Sequence, residues 1–309
     1  MTDTTPLRLN GVAPLPHLGV IRAQGEDTVR FLQGQLTQDF ALLEASQARL
    51  AAYCSPKGRM LASFIGLRRG ADEVLLVCSQ DILAATVKRL SLFVLRAKVR
   101  ISDASADFQL AGLAGDAISS IANNDHSTLG TEDFQGGTLI WLHPAGTQAR
   151  ALWIAPAGQP LPAGPALDTA QWQWGEVHSG VAPITAPIVD AFVPQMLNYE
   201  SVGGVNFRKG CYPGQEVVAR SQFRGTLKRR AFVVHGDAPM AVGQEVYSVT
   251  DANQPCGVVA AVAPAPSGGH DAIIAIQISA AESNGLRLGS ADGPALTLLP
   301  LPYPLLAEV

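Results

Sequence analysis

The chain has 309 residues, 47% of them hydrophobic and 16% charged, with a formal net charge of -4, a makeup ordinary for a soluble globular protein of two or three domains. No run nears the ~18 consecutive apolar residues of a membrane span, and the N-terminus lacks the basic-then-apolar pattern of a secretory signal. Cys54, Cys78, Cys211 and Cys256 lie far apart with no C-x-x-C pair, which argues against a zinc site or a disulfide frame and fits a cytoplasmic, reducing compartment.

In chain order, a first strand is expected over Leu18 to Ala23. A short helix follows over Glu26 to Leu36, where Val29, Leu32 and Leu36 share a face and acids occupy the first turn. Strands over Arg49 to Cys54 and Arg59 to Arg68 are joined by a Ser-Pro-Lys-Gly turn, and Glu73 to Cys78 makes a third. Ser79 is placed to cap a helix carrying Ile82, Leu83, Leu90, Phe93 and Val94 at helical spacing. Strands then recur at Val99 to Ser102, Phe108 to Leu113, Thr138 to His143 and Ala149 to Ile154, interrupted by a helix around Asp116 to Ala122. The uncharged stretch from Pro156 to Ala166 reads as a connection, and Trp172 to Gly180 begins another element. After Arg230 only strands are expected: Ala231 to His235, Glu245 to Thr250, Cys256 to Ala263, Ala272 to Ile278 and Ala295 to Leu299. That pattern describes a small β-barrel in an α+β chain.

The charge is unevenly spread. Asn206 to Arg230 holds Arg208, Lys209, Arg220, Arg224, Lys228, Arg229 and Arg230 against Glu216 alone, a local charge of +6. Such a stretch either meets an anion or is a solvated basic face. Within it, Lys209 to Glu216 (Lys-Gly-Cys-Tyr-Pro-Gly-Gln-Glu) fixes a tight turn around one thiol, and Pro213 can open a helix at its first turn. Beside two cations and a helix start, Cys211 reads as a reactive thiolate; its other reading is a small apolar turn residue. No dinucleotide fingerprint, Walker A loop, nucleophile elbow or zinc-protease motif occurs. A lone histidine such as His178 is by default structural or at the surface.

The octapeptide, continued by Val217 to Arg220 and Phe223-Arg224-Gly225, closely resembles the signature of the YgfZ family of folate-binding proteins, relatives of the glycine-cleavage T protein, an aminomethyltransferase. Phe192-Val193-Pro194-Gln195, Asn198 and Gly203-Gly204-Val205 are similar to the family too. So is an N-terminal block: Gly25-Glu26-Asp27, Phe31 to Asp39 and Ser55 to Arg59. The resemblance implies a three-domain ring like that of the T protein. Two interleaved α+β domains would occupy residues 1–230 and a C-terminal all-β barrel residues 231–309, with tetrahydrofolate in a central channel. Such a ligand needs apolar walls, a few placed polar groups, and cations for its glutamate tail. The implied folate-binding residues are Lys209, Tyr212, Gln215, Glu216, Arg220 and Arg224, with Gln33, Asp39 and Asn198. Cys211 is implied as the working group, a redox thiol or a transient iron–sulfur ligand, and no resident metal site is expected.

Two departures from the T protein bear on chemistry. Its paired aspartates follow a glycine turn, whereas Leu61 and Ala62 stand after Gly58-Arg59-Met60 here, which argues against aminomethyl transfer. Its pterin-binding glutamate is matched best by His178-Ser179-Gly180, leaving His178 or Glu176 as the replacement. The favoured reading is therefore a folate-dependent accessory protein that supports iron–sulfur cluster assembly or repair and, through iron–sulfur client enzymes, tRNA modification. A one-carbon transferase is the alternative. An RNA-binding module comes third and direct nucleic-acid binding is disfavoured, since aromatic residues near the basic stretch are few and no RNA-binding motif occurs.

Overall fold

A computed structural model describes residues 8–121, 126–224, 227–283 and 285–306; Ala122 of the expected helix, Gly225 of the signature and the N-terminal start lie outside the described residues. The elements in chain order are β1 (Gly11–Pro14), β2 (Leu18–Gln24), α1 (Thr28–Gln33), β3 (Ala48–Cys54), β4 (Met60–Arg69), β5 (Glu73–Ser79), α2 (Gln80–Ser91) and β6 (Arg100–Asp103). Then come β7 (Phe108–Ala114), β8 (Thr131–Phe134), β9 (Gly137–Trp141), β10 (Arg150–Pro156), α3 (Thr169–His178) and α4 (Gln215–Phe223). The last are β11 (Arg229–Gly236), β12 (Glu245–Ser248), β13 (Gly257–Pro264), β14 (His270–Gln277), α5 (Ile278–Glu282), β15 (Leu286–Leu288) and β16 (Ala295–Leu299).

The strands form two antiparallel five-stranded sheets, ordered β3-β4-β5-β2-β6 and β1-β7-β10-β9-β8, and a closed barrel, β11-β14-β13-β12-β15-β16. The two sheets interleave along the chain, because β1 pairs with β7 across all the strands of the other sheet. Residues of β14 alternate between two cores. Ala272, Ile274 and Ile276 face the barrel interior, while Ile273 and Ala275 join the core of the first sheet. That double burial is why the strand reads as an unbroken apolar run. Among the described residues no helix is long and apolar enough to cross a membrane.

Several expected elements differ. Helix α1 stops at Gln33 because the chain turns to pair with β3: Leu36 bridges Tyr53, and Thr37 N donates to Ala52 O at 2.9 Å. Its first turn holds no acid, since Asp27 precedes the helix and accepts from Lys98 N at 2.7 Å. Ser79 stands at the N-cap position of α2, but its hydroxyl donates to Asp81 Oδ1 at 2.7 Å instead of capping. Pro213 does not open α4; the helix begins at Gln215, with Gly214 at φ 78° as its N-cap. The helix around Asp116 is a 3₁₀ turn over Gly115–Ile118. Strands β1, β8 and β15 are too short to carry a period, and the barrel segment includes α5 as well as strands.

Candidate functional site

The two similar blocks meet in space. Gly58 closes the turn between β3 and β4, and Gly214 lies against it, so near that a Cβ on Gly214 would stand 2.4 Å from Ser55 O and 2.6 Å from Gly58 N. Both glycines have positive φ, 72° and 78°. The same turn is tied to the segment before the signature: Ser55 Oγ donates to Asp190 Oδ1 at 2.9 Å, and Met60 N to Phe192 O at 2.7 Å. Gln195, wholly buried, donates to Val218 O in α4 at 2.8 Å.

Cys211 sits on the outside of this junction and is exposed; Cys54, Cys78 and Cys256 are buried. Burial pushes the Cys54 and Cys78 thiols up to about 12 and raises that of Cys256. Beneath Cys211 the Lys209 ammonium donates to Gln33 O and, at 2.6 Å, to Leu36 O, and it lies 5.0 Å from the Tyr212 ring centre. Burial pushes Lys209 down to about 8, against the pull of Asp39 and Cys211. The +6 stretch is therefore not one basic surface. Lys209 is buried, and so is Arg230, which is paired with the fully enclosed Glu200.

Gln33, Asp39, Lys209, Cys211 and Tyr212 are thus brought together. The Gln33 Oε1 accepts from Phe40 N and Ala41 N, and Asp39 Oδ1 from Ala41 N and Leu42 N, so both already shape the loop after α1. Tyr212 is buried, Gln215 half-buried, and Glu216, Arg220 and Arg224 are exposed along α4. Asn198 is buried elsewhere: its amide donates to Ala231 O and accepts from Ala231 N, fastening its loop to β11.

None of these residues lines the large cavity of about 540 Å³ between the first sheet, α3 and the barrel. Its walls are mostly apolar, with Leu50, Phe64, Ile65, Val77, Leu129, Val177, Val242 and Ala260 to Val262 among them. Polar groups gather where α3 meets β10 and the segment before β2. On α3, Gln173, Glu176 and Val177 share the cavity face at helical spacing. Glu176 Oε1 accepts from Trp172 Nε1 at 3.0 Å, and His17 Nε2 lies 3.4 Å from its Oε2. Arg150, 5% exposed, lies with its guanidinium carbon 5.2 Å from the Trp172 ring centre and donates from Nε to His143 O at 2.9 Å; its Nη1 is buried without a partner. Burial pushes Arg150 down to about 10, partly offset by Glu176, so it stays charged at neutral pH. Burial and then Arg150 push His143 down to about 4, leaving its imidazole neutral.

Of the two candidates for the T protein's glutamate, Glu176 lines the cavity, whereas His178 turns the other way and donates from Nε2 to Asp271 Oδ2 at 2.7 Å. The cavity's other carboxylate, Asp81, has both oxygens engaged, by Ser79 Oγ and by Ala186 N. Strand β4, where the aspartates would stand, carries Leu61 and Ala62 and no carboxylate. Sequence reasoning missed Arg150, His17, His143 and Asp81. The one local sign was a single cation opening the apolar strand Arg-Ala-Leu-Trp-Ile-Ala-Pro. Among the described residues no cluster of three or more His, Cys, Asp or Glu could hold a metal ion.

No family model matches the chain. Among curated proteins it is 32% identical over 298 residues to the tRNA-modifying protein YgfZ of Edwardsiella ictaluri, covering 92% of this chain and 89% of that one. It is 30% identical over 327 residues to the protein of the same name from Colwellia psychrerythraea, covering all of both. Among solved structures it is similar to the glycine cleavage system aminomethyltransferase T of Bartonella henselae, with a TM-score of 0.67 at 15% identity, over 96% of this chain and 86% of that one. The likeness extends to the α+β architecture with its closed C-terminal barrel.

Proposed function

The chain belongs to the YgfZ family, and from that membership we propose that it is a folate-binding accessory protein for tRNA modification. In this reading it acts in the cytoplasm through iron–sulfur client enzymes, whose clusters it helps to assemble or repair. The observation that carries the folate part is the cavity. Its ~540 Å³ lies within the range of about 300–1,000 Å³ of small-molecule sites, and its apolar walls with one polar pole suit a flat, hydrogen-bonding ring. The orphaned donor on Arg150 supports a ligand that supplies the missing acceptor.

Cys211 is the group proposed to act on the client. It is exposed beside Arg208 and above the buried Lys209, where a reagent or a client can reach the sulfur. One thiol cannot hold a cluster alone, so any cluster bound there is shared with the client. A one-carbon transferase has less support, because β4 offers no carboxylate and both oxygens of Asp81 are already used.

The test is complementation of cells lacking the protein, read as the modified-nucleoside content of their tRNA. Wild type restores the modifications, and Cys211→Ser, equally abundant, does not. Full rescue by the serine variant would remove the thiol from the function.

A further inference from the structure

Helix α2 ends at Ser91, and the chain turns back to β6 through residues 92–99. The turn is fastened from within: Leu90 is buried, and Val94, Ala97 and Val99 pack half-buried on the core of the first sheet. Phe93 N donates to Leu90 O at 3.1 Å and Val94 N to Ser91 O at 3.2 Å, which fixes its backbone. Its outward side chains are apolar. Leu95 at 85% and Leu92 at 69% are the two most exposed large hydrophobics among the described residues, and Phe93 between them is 46% exposed. None of the three lines the large cavity or the smaller one at the β8–β9 hairpin. They stand out from the surface as knobs.

The same stretch is basic. From Lys88 to Arg100 it holds Lys88, Arg89, Arg96, Lys98 and Arg100 and no acid, a local charge of +5 in a chain of net charge -4. All five are exposed. Lys98 pairs with Glu26, and Lys88 and Arg89 suit the C-terminal end of α2. Neither role accounts for Arg96 and Arg100, or for two leucines in water. Every other side chain from Lys88 to Arg100 is hydrocarbon except Ser91, whose hydroxyl already donates to Val87 O at 2.8 Å. A protein interface is read through about one hydrogen bond per 100–200 Å² and through Tyr and Trp, and this surface has no free neutral polar side chain for that. A second copy, meeting it across a two-fold axis, brings +5 against +5. Grease ringed by cations, with no pattern of donors and acceptors, matches an anionic lipid surface. We infer that the turn after α2 docks the chain peripherally on an anionic phospholipid bilayer, with Leu92, Phe93 and Leu95 entering the acyl boundary and the flanking cations on headgroup phosphates. No spanning helix is involved, and the inference is independent of the folate reading.

The experiment is flotation of the full chain with vesicles of phosphatidylcholine alone, or of phosphatidylcholine with an equal part of phosphatidylglycerol. It compares wild type, Leu92→Ser with Leu95→Ser, Lys88→Glu with Arg96→Glu, and Arg220→Ala with Arg224→Ala. These side chains are all exposed, and circular dichroism checks that each variant is folded. Wild type is expected to bind the anionic vesicles at least about tenfold more tightly than the neutral ones, and less tightly as salt rises. Both turn variants are expected to lose about tenfold or more, and the Arg220, Arg224 variant to keep its binding. Phe93→Trp is expected to shift its emission to the blue on anionic vesicles, which adsorption by charge alone would not cause. Absence of wild-type binding to either vesicle overturns the inference, as does binding lost only with Arg220 and Arg224. Full binding by the leucine variant, or no blue shift, overturns the entry of these side chains and the inference with it. A dimer that the leucine variant breaks, in place of vesicle binding, gives the face to a second copy. Failure of that variant to restore tRNA modification, when wild type binds no vesicle, gives it to a protein partner. Either result overturns the lipid assignment.

Discussion

At Gly214 the backbone φ of 78° and the contact with Ser55 and Gly58 both forbid a side chain. Gly214→Ala should lower stability by about 1–3 kcal/mol, from the strained backbone and the displaced turn, seen as a shifted urea midpoint; an unchanged midpoint would mean the two turns are not locked together. Cys211, by contrast, is exposed, and Cys211→Ser should change stability by no more than about 1 kcal/mol. A thiol reagent at neutral pH should label Cys211 first, with Cys54 and Cys78 protected by burial and by thiols pushed up to about 12. Faster labelling of either would contradict the reading. The turn at Gly214 was legible in the sequence, because a glycine at a fixed place in a short motif points to a backbone need, and Cys211 stood out there as a candidate for chemistry. Arg150 was not: its meaning comes from Trp172 and Glu176, which only the fold brings beside it.

Helix α3 works through two faces. Gln173, Glu176 and Val177 face the cavity, while Trp174 and His178, one turn apart, reach Asp271 on β14. Asp271 gathers Trp174 Nε1 and His178 Nε2 at 2.7 Å and His235 Nδ1 at 2.8 Å, so it clasps α3 to the barrel. Burial alone would raise its carboxyl, but the hydrogen bonds from His178, His235 and Trp174 outweigh that and hold it below the usual value. A depressed carboxyl contributes stability that is whole above the unfolded value of ~3.9 and is lost as pH falls through the lower folded one. Asp271→Asn should therefore cost about 1–3 kcal/mol near neutrality, with the gap to wild type closing in acid below about pH 4; a gap that persists there would contradict the clasp. The sequence marked an element beginning near Trp172 and a structural default for His178. The division of faces stayed hidden, because Asp271 lies in a distant strand.

Across the whole molecule the barrel was the most legible part, since its strands are punctuated by turns and separated by no long helix. The interleaving of the two sheets was carried by resemblance alone: β1, four residues long, has no pattern to announce its pairing with β7. The +6 stretch was only half legible, because charge in a sequence does not say which cations are buried. Arg230 is one of these; it binds the enclosed Glu200 and the Leu306 carbonyl, joining β11 to the C-terminal segment. Arg230→Met should destabilise the fold by about 3–5 kcal/mol by stranding Glu200, and Arg230→Met with Glu200→Leu should recover much of it; no recovery would mean the pair is not the cause. Arg220 on α4 and Arg224 at its C-terminal end are exposed and do not line the cavity, although their charge suited a glutamate tail. Calorimetric titration with tetrahydrofolate tests this arrangement most directly, comparing wild type, Ala261→Trp in the cavity wall, and the double variant Arg220→Ala, Arg224→Ala. The expected result is that Ala261→Trp loses binding and the double variant keeps it; the reverse would contradict the account and put the folate at the turn beside Cys211.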